Sequence, residues 1–290
     1  MKIIYTLIGS IILFSGLLCQ AQDPVLFNII YEFKYVRDLA DKENPFTDKM
    51  ILSVGKNSSR YISEKMYNQL QREQSADNAD KALVGEQGLG QKMAVSGGPL
   101  LMVNNNNVVI DEQILKNFEN KKLTIWGFMG PKDYKTETNL PKIEWQILDE
   151  KKTIGNYNCQ KASGHYGGRL YDVWFTQDLP LQDGPWKLSG LPGLILGARD
   201  SRDEVIFTFI EIIKPLEGKE TTASFFKDDK RFTVVTSPAR YNKIKKAYET
   251  DPESMWSAAF PDAKLSVINS DNTQATRSST IKNYNPMEIK

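Results

Sequence analysis

Residues that could act as nucleophiles or metal ligands are scarce in this sequence. Its 290 residues include two cysteines, Cys19 and Cys159, and a single histidine, His165. Zinc sites built from His and Cys use three or four such ligands, so we expect no metal site and no cofactor. His165 follows Cys159 by six residues in a strand-like segment, which would place the two side chains about 20 Å apart. They make a poor catalytic pair, and we predict a buried, inert Cys159.

Carboxylates are the remaining candidates for acid–base chemistry. Asp172, Asp178 and Asp183 lie close together in the sequence, and Arg169 before them could stabilise developing negative charge. The same residues are equally typical of turns and surfaces, since an Asp before Gly-Pro commonly starts a turn. No G-x-S-x-G, H-E-x-x-H or phosphate-binding glycine motif is present. A carboxylate-based hydrolase is therefore an alternative and not the main hypothesis.

A second set of residues could bind a ligand without reacting with it. Tyr31, Trp145, Tyr171 and Trp174 are predicted to share one face of a curved sheet, where aromatic rings offer a large contact area. Each could equally fill the core. Trp186 differs because Gly and Pro residues bound the loop that carries it. The candidate binding residues are Trp145, Arg169, Tyr171, Trp174, Asp183 and Trp186.

Charge and the N-terminal segment restrict the class of protein. The chain has 37 Lys and Arg residues against 36 Asp and Glu residues, so nothing favours nucleic acid as a partner. Residues 1–21 combine a basic start, an apolar run and small residues before Ala21, which predicts a secretory signal peptide cut there. Acylation at Cys19 is a less favoured alternative, because Leu18 precedes it. No later segment is long and apolar enough to cross a membrane.

The hydrophobic pattern predicts a mainly β fold with some α structure. From residue 27 onward short alternating segments are joined by tight turns, with no room for helical crossovers, which indicates antiparallel hairpins. We predict a curved antiparallel sheet or half-barrel meander with a few short helices, one capped by Ser63 and one by Ser237 followed by Pro238. A Gly-rich stretch at about 75–107 reads as an insertion, either a flexible loop or a lid.

The stretch 184–196, "GPWKLSGLPGLIL", combines turn residues with apolar ones. Leu191–Leu194 fits a type II turn, in which Pro192 fixes one φ angle and Gly193 takes a positive φ. Its apolar neighbours predict that the turn lies against the core or lines a concave surface. The residues assigned to this structural motif are Gly184, Pro185, Gly190, Leu191, Pro192, Gly193, Leu194 and Ile195.

This motif resembles the signature of the GLPGLI family of secreted Bacteroidota proteins, whose hexapeptide stands intact at 190–195. The resemblance continues through 144–180 and "FTFIEI", ends at "NPMEI", and covers most of 29–290. It implies export and a single β-rich domain over 22–290, related to the bowl-shaped N-terminal domain of some bacterial peptide N-glycosidases. The family is largely without known activity, so the resemblance supplies no reaction.

Three hypotheses for function follow from these observations. The main one is an exported binding or assembly module of the cell envelope, in the periplasm or outside the cell, with a lipid, peptide or glycan ligand. The first alternative is the hydrolase described above. The second is an accessory subunit that docks to another envelope protein through an edge strand.

Overall fold

The computed structural model describes residues 23–68, 94–95, 98–99, 101–104, 112–130, 132–215, 233–259, 265–268, 281 and 283–289. The predicted signal peptide lies outside the described residues, as does most of the proposed insertion at 75–107. No helix in the described part of the chain is long and apolar enough to span a membrane.

Strands dominate the described ranges. They are β1 Phe27–Tyr35, β2 Phe46–Val54, β3 Ser58–Ser63, β4 Ala94–Val95, β5 Gly98–Pro99, β6 Leu101–Asn104, β7 Glu112–Asn117, β8 Lys122–Met129, β9 Lys132–Asn139, β10 Trp145–Ile154, β11 Tyr157–Tyr166, β12 Arg169–Thr176, β13 Leu194–Asp200, β14 Val205–Ile213, β15 Thr233–Val235 and β16 Leu265–Ile268. The helices are α1 at 64–68, α2 Pro238–Thr250 and α3 Pro252–Ala259.

Twelve strands form one open sheet in the order β10-β11-β12-β13-β14-β1-β2-β3-β7-β8-β9-β15. All neighbours in it run antiparallel except β15, which pairs in parallel with β9. Separate two-stranded sheets join β6 to β16 and β4 to β5. The prediction of a mainly β fold with a few short helices is confirmed.

The alternating pattern of β1 explains how the sheet acquires one apolar face. Tyr31, Phe33 and Tyr35 are buried, whereas Glu32 and Lys34 between them are exposed. Successive side chains of a strand point to opposite faces, so burying one face selects this alternation. The rings of Phe33 and Phe207 stack with centroids 5.0 Å apart, which joins β1 to its neighbour β14 on that face.

The sheet curves so that both of its arms contribute to one core. Residues of β7 and β8 share a buried cluster with residues of β12 and β13. The backbone N–H of Ile195 in β13 donates to the carbonyl of Asp183 at 2.9 Å, and the Asp183 carboxylate accepts a hydrogen bond from Lys116 in β7. Five steps of roughly 4.8 Å would separate β13 from β7 in a flat sheet. The contact therefore requires a concave sheet, with loop 177–193 lying in the concavity.

Capping residues begin two of the helices. The Ser63 hydroxyl accepts the Met66 N–H at 3.2 Å at the start of α1, and Ser237 accepts the Arg240 N–H at 3.4 Å at the start of α2. Both serines satisfy backbone donors that lack a partner within the helix. The predicted caps are confirmed. Helix α2 packs against β8 and β9 and places Glu249 at the core.

Candidate functional site

A cleft of about 40 Å³ lies on the concave side of the sheet. By the same measure, one water molecule occupies roughly 10–15 Å³, so the cleft has room for about three. Side chains from five strands, loop 177–193, helix α2 and the C-terminal segment meet there. The lining residues are Phe33, Phe46, Asp48, Met50, Tyr61, Ser63, Glu112, Ile114, Trp186, Phe207, Lys245, Glu249 and Met287.

Three charged side chains form one wall of the cleft. The Lys245 ammonium lies 2.6 Å from the Glu112 carboxylate and 4.0 Å from that of Glu249. Glu112 also accepts a hydrogen bond from the Tyr241 hydroxyl at 2.9 Å, and Glu249 accepts one from Tyr284. Lys245 and Glu249 are one helical turn apart on α2, which brings both to the same side of the helix. The lysine charge is therefore engaged mainly by Glu112.

The pKa values of the two glutamates shift in opposite directions. Burial raises the pKa of Glu249, and the charge of Glu112 adds to this, while Lys245, the Tyr284 hydrogen bond and Arg37 oppose it. Burial also opposes ionisation of Glu112, but Lys245, Lys187 and the Tyr241 hydrogen bond together outweigh it and lower the pKa of that carboxyl. Glu249 thus has weaker compensation for its negative charge than Glu112 has.

Tyr61 contributes a polar group that the fold leaves unused. Its side chain lines the cleft and is 3% exposed, and its hydroxyl has no hydrogen-bond partner. Burial raises its pKa well above the ordinary value, so the hydroxyl stays neutral and can both donate and accept. Buried polar side chains usually have a partner, which makes this exception notable.

Among the predicted binding residues, Trp186 is the one that reaches the cleft. It is 3% exposed, and its ring centroid lies 5.4 Å from that of Tyr166 and 6.4 Å from that of Phe207. Its backbone adopts a left-handed φ of 55°, which is uncommon for a residue with a side chain. Trp186 is therefore both a core residue and a wall of the cleft.

The expected common face of Tyr31, Trp145, Tyr171 and Trp174 is wrong for Trp174. Along β12 the odd-numbered Tyr171 is buried while Trp174 is half-buried and points to the opposite face. There the Lys152 ammonium lies 4.2 Å from the ring centroid of Trp174. Trp145 sits across Gly164 from Tyr171, and its indole N–H donates to the Ser189 carbonyl at 2.9 Å. Trp145 thus holds loop 177–193 in place.

Arg169 does not line the cleft and lies in a network in which all of its donors are used. Its guanidinium donates to Asp200 at 2.6 Å, to Glu204 at 2.9 Å and to Asn285 at 2.6 Å. Two further bonds go to the carbonyls of Met287 and Pro286, at 3.0 and 2.8 Å. These contacts fasten the C-terminal segment to β12 and β13.

Asp183, which lies in loop 177–193, also has a structural role. Its carboxylate pairs with the fully buried Lys116, whose ammonium also donates to the Gly184 carbonyl at 2.7 Å. Burial lowers the pKa of Lys116, and Asp183 partly opposes that shift. This buried pair ties the loop to β7.

The predicted type II turn is wrong in its geometry. The Gly193 N–H donates to the Leu191 carbonyl at 2.8 Å, and the Leu194 N–H donates to Leu179 instead of closing the turn on Leu191. Gly193 is not in the left-handed region; within the motif Gly190, with φ of 96°, and Trp186 are. Gly193 is required for another reason, because a Cβ there would lie 2.1 Å from the Thr176 carbonyl oxygen. The prediction that the motif is tucked against the core is confirmed, since Leu191, Leu194 and Ile195 are buried.

The other reactive candidates do not meet in the cleft. Asp172 forms an ion pair with Lys161 at 3.3 Å, and Asp178 accepts the Asn158 N–H at 2.9 Å. Cys159 is buried as predicted, and burial raises its thiol pKa, which lowers the thiolate fraction. Among the described residues no group of three or more His, Cys, Asp or Glu side chains could hold a metal ion.

Sequence reasoning missed most of the cleft. Lys245 and Glu249 do carry a signal, since the i, i+4 spacing on a well-capped helix places them together. Glu112 and Tyr61 carry none, because they meet these residues only when β3 and β7 pair in the curved sheet.

Two solved structures of PNGF-II, a peptide N-glycosidase, in P21 and C2 crystals, are similar to this chain. They share 18% and 17% sequence identity with it, cover 76% of it, and give TM-scores of 0.48 and 0.49. The chain spans about a third of their length, 33% and 32% respectively. No protein-family model matches the chain, and no curated protein matches it significantly.

Proposed function

We propose that this protein is an exported binding module of the GLPGLI type, and that its concave cleft receives one end of a ligand. The observation that carries the proposal is the buried Tyr61 side chain, which lines the cleft and whose hydroxyl has no hydrogen-bond partner. Leaving such a group unpaired costs roughly 1–3 kcal/mol, a cost that a ligand supplying the partner would remove. The rings of Phe33, Trp186 and Phe207, which form the aromatic floor of the cleft, add contact area for an apolar stem.

The size of the cleft restricts what it can take. A volume of about 40 Å³ accommodates a small end group, whereas pockets for whole drug-sized ligands enclose roughly 300–1,000 Å³. An acyl chain does not fit in it. Of the ligand classes considered, the terminal group of a peptide side chain or of a similar small chain is the best match.

Native mass spectrometry of the protein purified from the cell envelope tests this function. We expect a bound small molecule on the wild-type protein, reduced in Tyr61→Phe. Tyr171→Phe is the matched control, because its hydroxyl is also buried and unpaired but lies outside the cleft lining. Equal occupancy in both variants, or no bound molecule on any of the three proteins, would count against the proposal.

Export is part of the proposal, supported by the signal-like residues 1–21. Sequencing the mature N-terminus is the direct measurement. A start at Gln22 agrees with secretion after cleavage, and an acylated Cys19 would place the protein on a membrane surface instead.

Hydrolysis remains the second candidate, and the opposite pKa shifts of Glu112 and Glu249 favour it. Catalytic sites often pair two carboxyl groups whose environments separate their pKa values. A panel of chromogenic glycosides and esters, assayed with wild-type protein and Glu112→Gln, would reveal such an activity. Turnover that disappears in Glu112→Gln would support hydrolysis over binding alone.

Docking through an edge strand has less support. Strand β10 forms one edge of the sheet and carries consecutive charged residues, Asp149 to Lys152. Its register with β11 also shifts between Ile147 and Lys151. Charges and bulges on an edge strand discourage pairing with another chain.

A further inference from the structure

We infer that the cleft recognises a primary ammonium group on an unbranched alkyl stem, the chemistry of a lysine side chain or a small polyamine. This inference rests on the proposed binding function and names the ligand class for the same cleft. Its basis is the combination of excess acceptors, an unpaired hydroxyl and an aromatic floor around a volume of suitable size.

Acidic groups outnumber basic ones around the cleft. Asp48, Glu112 and Glu249 line it, against the single cation Lys245. Lys245 lies 2.6 Å from Glu112 and 4.0 Å from Glu249, so its charge is used mostly on the first carboxylate. Arg37 interacts electrostatically with Glu249, and Lys187, which is paired with Glu288, interacts with Glu112, but neither cation lines the cleft. An anionic ligand would meet repulsion here, and a cationic one would meet attraction.

The Tyr61 hydroxyl gives an observation independent of the acidic groups. The side chain lines the cleft and is almost fully buried, and its oxygen has no hydrogen-bond partner. An ammonium group carries three donors and no acceptor. It can therefore donate to Tyr61 and to a carboxylate at the same time, whereas a hydroxyl ligand has one donor and must accept from Tyr61 if it donates to the carboxylate.

The rest of the cleft suits an alkyl stem that bears a positive charge. The rings of Phe33 and Phe207 stack at 5.0 Å, and Trp186 lies 6.4 Å from Phe207. Aromatic faces attract cations and cover methylene groups. An ammonium group and its first methylenes match a volume that holds about three waters, whereas a quaternary ammonium or a guanidinium is bulkier.

Titration calorimetry with n-butylammonium tests the inference, with n-butanol as the neutral probe of similar shape. We expect n-butylammonium to bind at least about tenfold more tightly, the factor typical of charge-assisted hydrogen bonds. Glu249→Gln should remove that preference, so that n-butylammonium binds about as tightly as n-butanol. Glu137→Gln, a change at an exposed carboxylate on β9, should leave it unchanged.

Tyr61→Phe keeps the test valid if Glu249→Gln fails to fold. It removes one acceptor and little volume, and we expect several-fold weaker binding of n-butylammonium, with Tyr171→Phe behaving as wild type. Nα-acetyl-lysine amide and 1,5-diaminopentane then distinguish the two sources of the ammonium group. Tighter binding of the former indicates a peptide side chain, and tighter binding of the latter a polyamine.

These measurements distinguish failure of the ammonium inference from failure of the proposed binding function. If n-butanol binds in the cleft as tightly as n-butylammonium, or if Glu249→Gln retains the preference, the ammonium class is wrong and the binding cleft stands. If neither probe binds and no molecule co-purifies, the proposed binding function falls as well.

Discussion

Two buried charged clusters lie on the inner side of this sheet, and they differ in how completely their polar groups are paired. The Arg169 cluster comprises Arg169, Asp200, Glu204 and Asn285. The cleft cluster comprises Glu112, Lys245 and Glu249. Each draws on elements distant in sequence, and both include residues in contact with or belonging to the C-terminal segment.

In the Arg169 cluster the arginine makes five hydrogen bonds, as many as its guanidinium has donors. Asp200 also accepts the backbone N–H groups of Glu204 and Val205, at 2.7 and 2.9 Å. The cleft cluster borders open volume that is also lined by Tyr61, whose hydroxyl is unpaired. A cluster whose polar groups are all paired can stabilise the fold but has no hydrogen-bonding group left for a ligand. An incompletely paired cluster beside a cavity can still bond to one.

Breaking the Arg169 cluster should produce the largest effect. Arg169→Met leaves Asp200 buried without its cation and leaves Glu204 with only the more distant Lys42 and Arg202, at 3.6 and 4.0 Å. We expect a loss of about 3–5 kcal/mol in the free energy of unfolding. Urea denaturation measures it. Arg199→Met is the control, since Arg199 is 57% exposed in its ion pair with Asp203, and it should cost about 0–1 kcal/mol. Equal losses in the two variants would show that the cluster does not carry the stability assigned to it.

Trp186 belongs to both the core and the cleft, so its truncation should affect stability and binding together. We expect Trp186→Ala to cost about 3 kcal/mol in the free energy of unfolding, because a buried aromatic side chain leaves a cavity. Binding of n-butylammonium should weaken in the same variant. Trp174→Ala, on the opposite face, should cost less and leave binding as it was. A Trp186→Ala protein with unchanged melting temperature would argue against its role in the core.

Loop 177–193 gives a comparison between two of its glycines, Gly190 and Gly193. Gly193→Ala should cost about 2–3 kcal/mol, because its Cβ would meet the Thr176 backbone and force it to move. A Cβ at Gly190 would meet nothing closer than the Trp145 indole nitrogen at 4.0 Å, so Gly190→Ala should cost only about 1 kcal/mol, for its positive φ. Thermal unfolding ranks the two. A larger loss of stability in Gly190→Ala than in Gly193→Ala would mean that backbone conformation, and not close packing, determines the geometry of the loop.

The smallest expected effect is on the pH dependence of stability, where the clusters act in opposite directions. The Glu204 pKa is lowered, because Arg169 and Asn285 outweigh burial, so its contribution is present above its ordinary value of 4.5 and is lost as the pH falls below it. The Glu249 pKa is raised, so its contribution is present below 4.5 and is lost as the pH rises through the folded value.

Unfolding measured from pH 7 to pH 3 distinguishes the two contributions. Glu204→Gln should flatten the loss of stability below pH 4.5. Glu249→Gln should remove the gain that wild-type protein shows on acidification toward pH 4.5. Identical pH profiles for wild type and Glu249→Gln would mean that Glu249 has an ordinary pKa in the folded protein.

The sequence alone determined the elements of this protein better than their arrangement. Alternation identified β1 and the hairpins from β10 to β12, because burying one face of a strand imposes a period of two. Ser63, Ser237 and Pro238 marked helix starts through local hydrogen bonding and a fixed φ. Cys159 was correctly expected to be buried because an unpaired Cys within a strand pattern is usually a core residue.

Only the tertiary structure decided which polar residues meet. Asp183 and Arg169 stood out in the sequence as candidates for a site, but Asp183 pairs with the buried Lys116, and Arg169 donates to the C-terminal segment. Gly193 looked like a turn residue with positive φ, and close contact with Thr176 proved to be its constraint. Glu112, Tyr61 and Glu249 come together because the sheet curves and α2 packs across it. Such contacts depend on long-range pairing, which local sequence patterns do not encode.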